Sequence, residues 1–222
     1  TTYTHGRVDG LMLYGGLPVL PQEAGLDVQG TALVTVDAEL PGVTADAFAF
    51  DARKGAYLVT RSMLRDRKWV SLFAGDPGLT LTQEMQAGYE EAVLEFSNED
   101  HIHVLPCGFE EGQGYGTMRR LLGKGICPQG VLAASDEAAY GVMKALLENG
   151  RRVPEDVAVA GFGGLGQGQD GKLPALTTVN RPMYAMAHEA ARVLLDRIAQ
   201  PGQPGETRKF EPEVMIRRST RL

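Results

Sequence analysis

The chain has 222 residues, 43% hydrophobic and 23% charged, with a formal net charge of −6. That length holds one large domain or two small ones, and no apolar run approaches the ~20 residues that cross a bilayer. The acidic balance excludes a chain that grips DNA by itself, since phosphate neutralisation supplies most non-specific affinity; the cationic concentration Arg208, Lys209, Arg217, Arg218 and Arg221 is diluted by Glu206, Glu211 and Glu213.

In chain order, residues 7–13 read as a buried strand closing at Tyr14-Gly15-Gly16. Residues 18–30 are punctuated by Pro and Gly, so any helix there is short. Residues 32–36 form a second strand that stops at Asp37, and 47–50 a third. Asp51 caps a helix through residue 64, with Ala56, Leu58, Val59, Met63 and Leu64 facing inward. A strand over 69–73, a helix over 82–96 and a strand over 102–105 follow. Residues 110–122 are helical in character despite Gly112, Gly114 and Gly116.

Residues 130–164 form the best-defined stretch. An apolar strand over 130–134 meets Ser135 or Asp136 as a natural N-cap. Ala139, Val142, Met143, Leu146 and Leu147 then repeat at helical spacing until Asn149-Gly150 ends the helix. Val157, Val159 and Phe162 make a second strand that runs into glycines. Two parallel strands joined by a helix are a βαβ unit, and ligands collect at the carboxyl ends of such strands. Ser135, Asp136, Gly163 and Gly164 therefore share one rim. Beyond the glycine-rich link 161–171, a short segment at 177–179 precedes a helix over 182–199 with Pro182 at N1. A loop follows at 201–205, and a last strand lies within 210–216. The alternation of strands and helices predicts an α/β protein with parallel sheets.

Few residues carry chemistry. Gly161-Phe162-Gly163-Gly164-Leu165-Gly166 matches GxGxxG, but its glycines continue through Gly168 and Gly171 to Pro174 with no helix to face a pyrophosphate. His101 and His103 alternate on a predicted strand and lack a third metal ligand. Cys107 and Cys127 lack a CxxC partner and read as semi-buried thiols. There is no HExxH and no GxSxG, and adjacent pairs such as Glu90-Glu91 and Glu110-Glu111 diverge on a helix. No enzyme, metal or cofactor is expected.

Several ordered motifs carry a family resemblance. Ala134-Ser135-Asp136-Glu137, Gly141, Leu146, Val153-Pro154-Glu155-Asp156-Val157 and Ala160-Gly161-Phe162 resemble the effector domain of lactose-repressor-type (LacI/GalR) regulators. Residues 173–179 and 214–220 match the next two landmarks, and Val8-Asp9-Gly10-Leu11-Met12-Leu13 and Ala87-Gly88-Tyr89 fit upstream. The resemblance covers nearly the whole chain. It implies a type I periplasmic-binding-protein-like fold of two similar parallel-sheet subdomains, crossed three times by the chain, with a ligand cleft between them. Residues 1–66 with helix 183–200 would build the N-terminal subdomain, and 67–181 with 201–222 the C-terminal one. The headpiece that binds DNA and the first strand–helix unit have no counterpart here. A missing first strand would leave a raw sheet edge, which favours upstream residues over a truncated domain.

By position, the family's ligand contacts fall on Tyr14, the neighbourhood of Asp37, Met85, Phe109, Asp136 and Gly163. Phe109 stands where many members set an aromatic ring against a sugar face, with a core aromatic as the alternative. Asp136 either accepts hydrogen bonds from a polyol or serves the helix N-terminus. Sugar-binding members usually carry an arginine where Met85 stands and an aspartate at Gly163-Gly164. Losing that aspartate removes a repulsion of roughly 4 kcal/mol at about 4 Å and a dielectric of ~20, which admits a sugar acid or sugar phosphate. Backbone N–H groups of the glycine turn would then serve as an anion nest. Met85 in place of a cation points the other way.

The function implied is the effector-binding, dimerising part of a cytoplasmic transcriptional regulator, with no membrane contact. A carbohydrate-like effector closes the cleft and changes operator DNA binding through headpieces of a homodimer. The helices at 51–64 and 82–96 are the expected dimer surface. The rival is a periplasmic sugar-binding transporter component of the same fold; the 153–157, 174–179 and 216–220 segments resemble the regulator branch.

Overall fold

The computed structural model describes residues 8–15, 30–37, 45–97, 99–165 and 173–221. In chain order the elements are β1 (Gly10–Tyr14), β2 (Ala32–Val36), β3 (Asp46–Phe50), α1 (Ala52–Leu64), β4 (Val70–Ala74), α2 (Thr80–Phe96) and β5 (Val104–Pro106). They continue with α3 (Glu111–Gly123), β6 (Gly130–Ala133), α4 (Asp136–Glu148), β7 (Ala158–Gly163), β8 (Thr177–Asn180), α5 (Met183–Ala199), β9 (Thr207–Phe210) and β10 (Glu213–Met215). The expected short helix in 18–30 and Gly166, Gly168 and Gly171 of the link lie outside the described residues.

Two compact units result, one of Thr1–Asp51 with Pro182–Glu211 and one of Ala52–Arg181 with Pro212–Leu222. This division departs from the expected boundaries. Helix α1 belongs to the second unit because a glycine on its inner face, Gly55, lets it settle on Val179 and Pro212. The strand expected within 210–216 is β10, and a further strand, β9, precedes it. β9 pairs in parallel with β3 in the first unit, and β10 runs antiparallel to β8 in the second. Pro212 stands between them and has no N–H for a ladder, so the chain changes sheets there.

In the first unit the sheet order is β1-β2-β3-β9, all parallel, and α5 packs on β1, β2 and β3. Met186, Ala190 and Val193 on α5 are buried on the side of the sheet to which Val34, Val36 and Phe48 point. Pro182 is the residue before α5, one position earlier than the N1 place read from sequence. A charged staple closes the amino end of the sheet. Arg197 donates through Nε and Nη2 to the two Asp46 oxygens at 2.7 and 2.8 Å, and Glu206 N donates to Oδ1 at 3.1 Å. Burial pushes the Asp46 carboxyl up, but the hydrogen bonds from Arg197 and Glu206 and the charges of Arg197 and Arg208 hold it below its ordinary value of 3.8. A depressed carboxyl stabilises the fold above its unfolded pKa and loses that contribution as pH falls through the folded pKa. Melting temperature followed from neutral pH to below pH 3.8 should therefore drop more steeply for wild type than for Asp46→Asn. Parallel curves would remove Asp46 from the acid response.

The second unit has the sheet order β10-β8-β7-β6-β4-β5, parallel apart from β10. Successive side chains of β6 face opposite ways. Val131 and Ala133 join Val142, Met143 and Leu146 of α4 in one core, whereas Gly130 lies against Met63 of α1. Each large side chain buried there contributes about 1.5–3 kcal/mol. The Ser135 hydroxyl accepts from Ala138 N at 3.0 Å, and Asn149 ends α4, so both ends match the expected caps. Helix α3 starts in a reciprocal capping box between Glu110 and Gln113, which offsets part of the cost of its glycines.

Tyr89, buried in α2, donates to Val70 O at 2.8 Å and accepts from His103 N at 2.9 Å. Burial pushes its phenol up to about 12. The outer seam of α1 and α2, the expected dimer surface, carries the Arg53–Glu91 and Arg61–Glu95 ion pairs at 2.9 and 3.1 Å. The two histidines do not share a strand face. His101 ends a 3-10 turn and bonds Ser97 Oγ through Nδ1 at 2.8 Å, while His103 precedes β5 and packs on Trp69 with ring centroids 5.0 Å apart. Among the described residues no group of three or more His, Cys, Asp or Glu could hold a metal ion, and no helix is long and apolar enough to cross a membrane.

Candidate functional site

In the second unit the chain leaves β4 for β5 on one side and then returns past β4 to β6, so the strand order reverses between β4 and β6. Carboxyl ends on either side of such a reversal leave a crevice. Gly75 follows β4 there, and Ser135 and Asp136 follow β6. Phe109, three residues beyond β5, folds back over Gly75. A Cβ built on Gly75 would lie 2.7 Å from both Cε atoms of the Phe109 ring, with Cζ nearer still. Ser135 Oγ donates to the Phe109 carbonyl while capping α4. The ring is thus seated from below and its backbone tied from the side, with its surface partly exposed.

Asp136, the residue after Ser135, is fully buried and bonds toward β7 and β8. Its Oδ1 accepts from Thr178 Oγ1 at 2.6 Å and its Oδ2 from Leu165 N at 2.6 Å. Thr178 Oγ1 in turn accepts from Gly164 N at 3.1 Å. Gly163 is close by, its Cβ direction meeting Asp136 Oδ2 at 3.5 Å. Gly164 has φ +90°, a left-handed conformation that glycine adopts without strain.

This arrangement corrects the expected anion nest. The N–H groups of Gly164 and Leu165 already donate to Thr178 and Asp136, and the nearest acidic group lies directly beneath the turn. The glycines remove one carboxylate from the rim and leave another under it.

Two further expected residues stand together in the first unit. Tyr14, 61% exposed, ends β1, and Asp37 follows the neighbouring β2. Asp37 has φ 52°, a sparsely populated conformation for a residue with a side chain, and its N–H donates to Phe48 O at 2.8 Å. Met85 is 1% exposed inside α2, where its thioether has no charge to keep in solvent. Sequence reasoning passed over Gly75 and Thr178. Thr178 lies in β8, the strand paired with the one that runs into the glycine turn, whereas Gly75 owes its role to a ring 34 residues away, for which no local pattern exists.

A periplasmic binding protein-like domain model matches residues 66–220. The repressor PurR of Haemophilus influenzae strain PittEE is 25% identical over 224 residues, 99% of this chain and 62% of that protein, so the chain spans under two thirds of that relative. The regulator CelR of Thermobifida fusca is 31% identical over 96% of this chain and 64% of its own length. Among solved structures, a LacI family regulator from Enterococcus faecium with bound ribose superposes with a TM-score of 0.85 at 26% identity, covering 96% of this chain and 79% of that one. A CelR–cellobiose complex superposes at 0.81 and 28%, covering 96% and 66%. The relatives are transcriptional repressors and regulators rather than transporter components. The chain therefore belongs to the periplasmic binding protein-like domain family, in the branch of the LacI-type transcriptional regulators, and corresponds to their effector-binding domain.

Proposed function

We propose that this chain senses a neutral carbohydrate for a cytoplasmic, homodimeric transcriptional regulator and has no catalytic role. The observation that carries the effector class is the buried Asp136 carboxylate beneath a glycine turn whose N–H groups are already engaged. A second negative charge brought to that turn would meet repulsion and find those donors taken, whereas a sugar ring can stack on Phe109 and turn its hydroxyls to the rim. Gly163 is a further contact in this reading. Ribose and cellobiose, the ligands named for two structural neighbours, are both neutral. With a net charge of −6, DNA contact belongs to a headpiece outside this sequence, as the helix-turn-helix designation of the relatives supports. Effector and operator binding are then linked, each changing the other's affinity by the same factor.

A thermal-shift panel tests the reading with neutral pentoses, hexoses and disaccharides, aldonic and uronic acids, sugar phosphates and nucleosides. A ligand at about 100 times its Kd adds ~2.7 kcal/mol of stability. The expected result is stabilisation by a neutral sugar. Stabilisation by acids or phosphates alone would reverse the effector class, and stabilisation by nucleosides alone would remove the carbohydrate.

A further inference from the structure

We infer that Gly75 is a positioning residue for effector recognition, acting through the Phe109 ring; this rests on the reading of Phe109 as a sugar platform. Gly75 is buried at the point where the strand order of the second sheet reverses, and its backbone is outside the left-handed region that reserves a place for glycine. The three nearest atoms to its Cβ position all belong to the Phe109 ring, so the first obstacle to a side chain is that ring. The missing methyl is therefore what sets how low the ring lies. Two other devices hold the backbone of Phe109 and leave the ring's height to Gly75. Ser135 fixes its carbonyl, and Glu110 N donates to Gln113 Oε1 at 3.0 Å in the capping box that starts α3. A methyl at position 75 lifts or turns the ring into the space above the rim, making the platform shallower without touching any ligand.

The test is a double-mutant cycle of Gly75→Ala, Phe109→Ala and both together, titrated calorimetrically with ribose, cellobiose and the sugar that most stabilises wild type. Gly75→Ala should weaken binding about tenfold, the worth of one well-placed aromatic contact. It should also shift the ratio between sugars, with the bulkier one losing more, which a purely structural role would not do. In the Phe109→Ala background the substitution should be silent. Should Gly75→Ala alone fail to fold, the double variant must fold, because the obstructing ring is gone. Unchanged affinity and ratio in Gly75→Ala, or equal losses in both backgrounds, overturn the inference while leaving the platform intact. A wild type that binds no sugar at all overturns the reading beneath it.

Discussion

Gly141→Ala lowers the stability of the second unit by about 2–3 kcal/mol, the upper part of the range of about 1–3 kcal/mol for overfilling a packed site. The sign makes the result informative. In an ordinary helix interior, glycine to alanine stabilises by about 1 kcal/mol. Gly141 sits in mid-α4 where α3 crosses, and an alanine Cβ would lie 2.7 Å from Tyr115 N and nearer still to the backbone oxygen of Glu111. Those are main-chain atoms, so relief requires the helices to separate. Gly114 of α3 meets the backbone of Ala138 in the same way, and the two glycines together let the helices touch along their main chains. Gly116, on the same helix α3, faces open space. Urea unfolding should show Gly116→Ala stabilising by about 1 kcal/mol and Gly141→Ala destabilising. Stabilisation by both would mean that the crossing has slack.

Asp136→Ala should cost about 3 kcal/mol and weaken effector binding, although its carboxylate is buried. Removing it leaves the Thr178 hydroxyl and Leu165 N–H without their acceptor, at about 1–3 kcal/mol for each buried group left unsatisfied. The turn at Gly163 and Gly164 loses its anchor with them. Asp136→Asn keeps one accepting oxygen and turns an NH2 toward the other donor, so it should fall between alanine and wild type. Unfolding and sugar titrations on the same samples separate the two effects. Full stability with lost binding would make Asp136 a direct contact; full binding with lost stability would confine it to the core.

The parallel sheets and the helical crossovers were legible because periodicity and caps agree locally. Ser135, Asn149 and the stripe Ala139, Val142, Met143 and Leu146 of α4 are found as read, whereas Leu147 is exposed. The boundary between units was not legible, since it depends on where α1 packs, and Gly55 reveals its contact with Val179 only in three dimensions. The division of 207–215 into two strands of different sheets escaped for a similar reason: Pro212 marks a break without naming the partner strand. His101 and His103 read as a strand pair because two residues of alternation resemble a strand, yet His101 ends a 3-10 turn and β5 spans only Val104–Pro106. At the site, Phe109, Asp136 and Gly163 fell together by motif position. The sequence-based expectation of a nest failed because counting N–H groups does not show which acceptors already hold them.

The most direct measurement is a calorimetric titration of the wild-type chain with a neutral sugar and with the uronic acid of the same sugar, which keeps the ring. The account predicts that the neutral sugar binds and the acid binds at least about tenfold more weakly, the cost of setting a second carboxylate near Asp136. An acid that binds as tightly as its neutral parent would contradict the account at its centre.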